Sequence, residues 1–569
     1  MTEPEVSSAA GAALGLLQRF VALGLRDIVV APGSRSQALA LAAAALDRAG
    51  VVRLHVRIDE RSAAFLALGL GVESGVPAAV ITTSGTAVAN LHPAVLEAHH
   101  AGVPVLLLTA DRPEELRGIG ANQTTAQAHL FGGATRLSED VDTTSLGEAG
   151  LTALAERAWT AALQPGPVQL NLAFREPLSA ALPDPLPELA TEHLPQQPTT
   201  TGRDLGPTLE LTPEPGTLVI AGAGAGPAAE EAAHQLHAPL LAEVASGARY
   251  GRNLIAPYRA VLAEPGFTEA VRRVIVFGHP TLSREVPALI AREDVETVVV
   301  RSAAAEDYSP GRRVRRFAGA ITVHPAAPAA LPELRSWLGA WVTTARAIAA
   351  EAEQIAAPDL DAAHASDRHE RAKFVQQEFA AIRTPLTRSQ VVDAVWGATW
   401  PHDRLVLGAS RLIRVADEVL PGKRVPVHAN RGLAGIDGTI ATGIGIALAH
   451  QASDARAGVT RVLLGDLALL HDAGSLLFGD GETRPRIQVI VGDDHGGTLF
   501  TQLEVAATAP AADFDRVLRT PQSVDVAALA AAYGWEYRPA KYRGDLDRAL
   551  TAATTGPVLI HVTLADDPA

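Results

Sequence analysis

Short β-branched runs alternate with longer Ala/Leu-rich segments up to about residue 175. Asp27-Ile-Val-Val-Ala31, Ala79-Val-Ile-Thr82 and Pro104-Val-Leu-Leu-Leu-Thr109 are continuous apolar runs of strand length, as strands covered on both faces require. Between them, Gln37–Ala49, Ser62–Glu73 and Ala87–Ala101 carry helical composition and length. Strands and helices in strict alternation predict a parallel sheet wrapped on both faces by helices.

The rhythm breaks at nine prolines between Pro177 and Pro215, a stretch that cannot belong to a sheet interior. It resumes at Thr217-Leu-Val-Ile-Ala221 and pauses at the Pro325–Pro332 cluster. A charged, Ala-rich helical segment follows over about 333–383. Thr387-Arg-Ser-Gln390 then has the form of a capping box, a hydroxyl at the N-cap and an amide three residues on. The last α/β stretch ends with Val558-Leu-Ile-His-Val562. These breaks divide the chain into an α/β domain over 1–180, a Pro-rich linker over 181–215, a central α/β domain over 216–335, a helical connector over 336–385 and a third α/β domain over 386–569. The expected fold class is α/β, with three doubly wound parallel-sheet domains.

Composition narrows the classes of function. The chain is 47% hydrophobic and 20% charged, as a folded globular protein is. Lys plus Arg number 48 against 63 Asp plus Glu, a formal charge of −15, which argues against nucleic acid or an anionic membrane as the main partner. There are no cysteines, so thiolate chemistry and cysteine-bound metals are excluded. An acidic start, with no basic leader and no apolar run of spanning length, makes a cytoplasmic location the expectation.

Chemistry concentrates at strand ends. Asp466 closes Arg461-Val-Leu-Leu-Gly465, and Asp494 follows Gln488-Val-Ile-Val491, with a helix-like segment between. Two hard oxygen ligands at the carboxyl ends of strands suit Mg2+ or Mn2+ bridging to a diphosphate, and Gly496 offers a backbone carbonyl nearby. Glu60, in Ile58-Asp-Glu-Arg-Ser62, follows another strand; burial at that point would raise its pKa and favour proton sharing. Arg35 sits in a strand-to-helix turn, Ala31-Pro-Gly-Ser-Arg-Ser36, a place that favours anions. Gly222-Ala-Gly-Ala-Gly226 imitates a dinucleotide loop but lacks the full spacing, and a structural role is expected for it.

The Gly-Asp … Asp-Asp pattern resembles the metal signature of thiamine-diphosphate enzymes. Ala31-Pro-Gly-Ser-Arg-Ser36, Ala110-Asp-Arg-Pro113, Gly120-Ala-Asn-Gln123 and Asn430-Arg-Gly-Leu-Ala-Gly-Ile-Asp-Gly438 occur together and in order. That set resembles the 2-succinyl-5-enolpyruvyl-6-hydroxy-3-cyclohexene-1-carboxylate synthase family of menaquinone biosynthesis. The resemblance implies a pyrimidine-binding first domain and a diphosphate-binding third domain. It implies thiamine diphosphate with Mg2+ or Mn2+, and 2-oxoglutarate and isochorismate as substrates. A homodimer or dimer of dimers, with active sites at the subunit interface, is also implied. Catalytic duties fall on Glu60, Gln123 and Ser410. Cofactor contacts fall on Glu60, Ile436, Asp466, Asp494 and Gly496, the metal lying on the last three. Ser34, Arg35, Arg112, Asn122, Gln123, Arg284, Ser410, Arg414 and Arg431 line the substrate pocket. Two departures stand out: Leu467 replaces the second glycine of the usual Gly-Asp-Gly, and Asp494 replaces the usual asparagine. The rival readings are an acetohydroxyacid-synthase-like carboligase or 2-oxoacid decarboxylase, and a non-catalytic nucleotide sensor built on Gly222–Gly226.

Overall fold

The structure, a computed structural model, describes residues 8–186, 205–354, 360–453 and 456–565. Every ladder between its described strands is parallel. The first sheet holds β1 (Asp27–Val30), β2 (Arg53–Val56), β3 (Ala78–Thr82), β4 (Val105–Asp111), β5 (Leu137–Asp142) and β6 (Val168–Ala173), in the order β2-β1-β3-β4-β6-β5. β7 (Thr208–Leu211) pairs with a late strand of the next region. The second sheet uses β8 (Thr217–Ala221), β9 (Leu240–Ala242), β10 (Arg273–Phe277), β11 (Glu296–Val300) and β12 (Arg316–Ala318), and β13 (Ala320–Val323) returns to β7. The third holds β14 (Arg404–Leu407), β15 (Val427–His428), β16 (Thr460–Gly465), β17 (Ile487–Asp493), β18 (Glu536–Ala540) and β19 (Pro557–Thr563), in the order β15-β14-β16-β17-β19-β18. The central strands are buried along their length, which is why they read as unbroken apolar runs rather than alternating ones.

The first and third sheets share one hydrophobic core through two helices, Glu60–Ser74 and Thr439–Ser453. The crossing is backbone-close. A Cβ on Gly69 would stand 2.1 Å from the Thr442 carbonyl oxygen, and one on Gly445 2.2 Å from that of Leu66. Only glycine fits there. Half-buried Glu73 adds a polar clasp, with Arg404 at 2.7 Å and His428 at 3.2 Å.

Three expectations change in detail. The helix expected over Ala87–Ala101 divides into Thr86–Ala89 and His92–Ala101, because Pro93 has no amide to donate and instead serves the first turn of the second helix. The stretch expected to be a linker holds β7 at its far end, and its residues 187–204 lie outside the described ones. The expected connector is helical, with helices Leu331–Gln354, Leu360–His364 and Arg368–Ile382, but the first of these starts inside the span expected for the central domain. The capping box forms as read: Thr387 Oγ1 accepts from the Gln390 amide at 3.3 Å, and Gln390 Oε1 accepts from the Thr387 amide at 3.0 Å.

Candidate active site

β16 and β17 pair in register, Gly465 beside Gly492, so Asp466 and Asp494 emerge from adjacent strand ends. Asp466 opens the short helix Asp466–His471 and is buried. Its carboxylate accepts the Leu467 amide at 2.8 Å and the Gly496 amide at 2.7 Å. Burial, and then Asp494, push its pKa up to about 6. A buried carboxyl beside a second one is a donor set that a hard divalent cation would satisfy. Among the described residues no group of three metal-binding side chains occurs, so such a cation would draw the rest of its shell from backbone, water and ligand. Gly496 differs from expectation in one respect: it presents its amide to Asp466, while its carbonyl accepts the Thr498 amide at 2.9 Å. Its φ of 126° and the Arg519 carbonyl, 2.3 Å from where a Cβ would lie, reserve the position for glycine.

Asp494 is held by a residue that the sequence motifs do not mark. Arg388, buried at the first position of helix Arg388–Ala398, donates through Nη2 to Asp494 Oδ2 and, at 2.9 Å, to Thr498 Oγ1. The capping box locates this helix start; the extra carboxylate at Asp494 is the signal that a cation should stand beside it.

In the first domain Glu60 begins its helix and Asp59 caps it. Glu60 is half-buried rather than enclosed, because it occupies the first turn and not the strand end; Asn90 Nδ2 donates to it at 3.2 Å. No described contact joins Glu60 to Asp466 or Asp494. Its neighbours reach the segment that follows Asp466: Arg61 donates to the His471 carbonyl at 2.9 Å, at the far end of the Asp466 helix, and Ser62 and Ser475 hydroxyls are 2.8 Å apart. Arg112 is buried and donates to Ser84 Oγ at 2.6 Å and the Gln123 carbonyl at 2.8 Å. Gln123, at φ 57°, returns its side-chain amide to the Ser84 carbonyl at 3.0 Å. Burial and the nearby Arg112 lower the Arg35 pKa, which places two guanidinium groups in one neighbourhood. Ser34 and Asn122 are exposed beside them.

The remaining arginines meet where the central domain touches the third. Arg431 is buried and donates through Nε at 3.0 Å and Nη2 at 2.6 Å to Thr281 Oγ1. Partial burial, then Arg259 and Arg284, lower the pKa of Arg414. Ser410 caps helix Arg411–Val419, accepting the Leu412 amide at 3.2 Å, and lies beside Gly465. Ile436 is 38% exposed, so it is not part of the core. Two buried glutamates, absent from the residues expected at the site, fix this region's loops. Glu97 accepts the Gly432 and Leu433 amides, each at 2.7 Å. Glu243 accepts the Thr281 and Leu282 amides at 2.7 and 2.6 Å; burial, then Asp417, push its pKa up to about 8. Neither glutamate lies in a motif, so neither is legible without the fold.

The Gly222–Gly226 loop is structural in form. A Cβ on Gly222 would stand 2.1 Å from the Pro280 nitrogen, and the helix that follows, Ala228–Gln235, opens with Glu230 and Glu231, which repel a phosphate at its positive end.

Comparison with known proteins bears on the fold and the family. The profile of the thiamine pyrophosphate enzyme N-terminal TPP binding domain matches residues 12–130. A benzoylformate decarboxylase structure from Polynucleobacter necessarius superposes with a TM-score of 0.64 over 98% of both chains, at 15% identity, a likeness of fold. Over 97% of this chain, a 2-succinyl-5-enolpyruvyl-6-hydroxy-3-cyclohexene-1-carboxylate synthase from Leifsonia xyli subsp. xyli is 56% identical, the match covering 96% of that relative. Its counterpart from Clavibacter michiganensis subsp. michiganensis is also 56% identical, over 97% of this chain and 95% of its own. One from Thermobifida fusca is 40% identical over 94% of this chain and 92% of its own. The chain belongs to the 2-succinyl-5-enolpyruvyl-6-hydroxy-3-cyclohexene-1-carboxylate synthase family of thiamine-diphosphate enzymes.

Proposed function

We propose that the protein decarboxylates 2-oxoglutarate and adds the resulting four-carbon unit in 1,4 fashion to isochorismate, releasing CO2 and forming the compound for which its family is named. The observation that carries the reading is the pairing of Asp466 and Asp494 at adjacent strand ends, within a chain 56% identical to synthases of that name. Thiamine diphosphate, when bound, supplies an electron sink that takes up the pair freed by loss of CO2 and returns it to the acceptor ring.

The chain's own residues do the rest. Asp466, Asp494 and the Gly496 backbone would hold Mg2+ or Mn2+ at the diphosphate end of the cofactor. Glu60 would share a proton with the aminopyrimidine of bound thiamine diphosphate, and Ile436 would pack against the cofactor. Arg35, Arg112, Arg284, Arg414 and Arg431 match the paired carboxylates of both substrates with charges that no working pH removes. Ser34 and Asn122 add polar contacts to the same pocket. Gln123 and Ser410 orient protons at the addition step.

The domain boundaries given above carry over as pyrimidine-binding, central and diphosphate-binding units. A second copy completes each site: Glu60 and Ile436 keep exposed surface in one chain, and Ile58, two residues from Glu60, is 72% exposed. Among the described residues no helix is long and apolar enough to cross a membrane.

Labelled 2-oxoglutarate, supplied with thiamine diphosphate and Mg2+, should yield labelled CO2 in step with isochorismate consumption. Release of CO2 that ignores isochorismate would turn the reading toward a simple decarboxylase. No release would remove it.

A further inference from the structure

The metal-proximal carboxylates carry more negative charge than a diphosphate site tolerates comfortably. Asp493 is matched by His561, whose Nε2 lies 2.8 Å away. Asp466 is compensated by backbone amides alone among its described hydrogen bonds. Asp494 is different, because a full cation has been brought to it from another part of the chain. The segment ahead of Arg388 is linked to this strand end through residues 564 and 565: the Ala565 amide donates to the Leu386 carbonyl at 2.8 Å, and the Leu564 amide to the Asp493 carbonyl at 2.9 Å. The capping box then fixes the first turn, so the Arg388 side chain leaves from a set position. Arg388 Nη2 and the Thr498 hydroxyl both donate to Asp494 Oδ2 rather than to Oδ1.

We infer that Arg388 is a positioning residue for the divalent cation: it neutralises Asp494 and ties down Oδ2, so that Asp494 presents Oδ1 as a single, charge-balanced ligand. The inference rests on the metal reading above. Asp494 with Arg388 then amounts to one neutral oxygen donor, and each residue is detrimental without the other. A guanidinium left beside the ion repels it, and a carboxylate left alone repels the diphosphate. A merely structural ion pair predicts no such reciprocity.

Mn2+ binding, titrated calorimetrically with thiamine diphosphate saturating, distinguishes these. D494N should weaken Mn2+ binding about 10–100-fold, the usual cost of disturbing a ligand's support. R388Q/D494N should recover at least about tenfold of that loss, the sign of a coupled pair. R388K, which keeps the charge, should stay near wild type. Wild-type Mn2+ affinity in D494N, or a double variant no tighter than D494N, would overturn the inference and leave the metal reading standing. Wild-type protein that takes up no Mn2+ overturns both. Melting temperatures establish that each variant is folded; if R388Q/D494N is not, D494N and R388K against wild type decide the matter.

Discussion

The first and third sheets thread their strands in the same order, second-first-third-fourth-sixth-fifth, yet their third and fourth strands end in opposite chemistry. After β3 and β4 come Ser84 and the buried Arg112, bonded to each other at 2.6 Å. After β16 and β17, at equivalent points, come Asp466 and Asp494. One pair of strand ends is followed by a hydroxyl and a guanidinium, the other by two carboxylates. The helix after the second strand divides likewise: in the first sheet it begins with Glu60, and in the third with Thr439, with no acid in its first turn. The crevice at the carboxyl ends of a parallel sheet is a general place for ligands, and the residues at those ends decide which kind. On the function proposed above, a single topology serves substrate carboxylates and proton transfer in one half, and a metal in the other.

The sharpest way to break this division of labour is to damage each half separately. Glu60→Gln should lower turnover about 10²–10⁴-fold, the range for a lost proton-transfer group, while leaving thiamine-diphosphate affinity largely intact. Asp466→Asn should do the reverse, weakening cofactor binding first; equal loss of cofactor binding in both variants would contradict the split. Co-expressing the two in one cell is sharper. If each site combines one subunit's Glu60 with the other's Asp466, mixed dimers hold one intact site, and about a quarter of wild-type activity should return. Sites contained within one chain would leave the mixture inactive.

Smaller effects probe the shared framework. Gly69→Val at the helix crossing should cost at least about 1–3 kcal/mol, since the new side chain meets a carbonyl that cannot withdraw; thermal melting measures it. Arg35→Ala should raise KM for 2-oxoglutarate by roughly tenfold or more, a charged hydrogen bond being worth about 1.5–3 kcal/mol. A pH-dependent effect concerns Glu243, whose folded pKa is pushed up to about 8, above its ordinary value of 4.5. Between those values the folded protein keeps a proton that the unfolded chain has released, so stability falls as pH rises, by about 1.4 kcal/mol per unit at most. Glu243→Gln mimics the protonated form and keeps the acceptor for the Thr281 and Leu282 amides. It should flatten that slope, matching wild type near pH 5 and melting higher at pH 8; parallel curves would count against it.

What is readable in the sequence follows from where the information is local. Apolar runs buried on both faces announce the strands, and a hydroxyl–amide pair announces the helix at Thr387. Strand-end aspartates and the ordered arginine motifs announce the candidate site. Contacts made across the fold are not readable. Arg388 reaches a carboxylate 106 residues away, and Glu97 caps a loop 335 residues away. The expected enclosure of Glu60 fails for a related reason: exposure at a helix start depends on what packs over it, which one chain's local sequence does not specify. Pro93 is plain in the sequence, but helical composition on both sides of it masks the break between the two helices.

The crossing of Gly69 over Thr442 and Gly445 has a consequence for engineering. Where the two glycines meet the opposite main chain there is no side chain through which a change on one side could be absorbed on the other. Grafting either half from a distant homologue would therefore require carrying both crossing segments together.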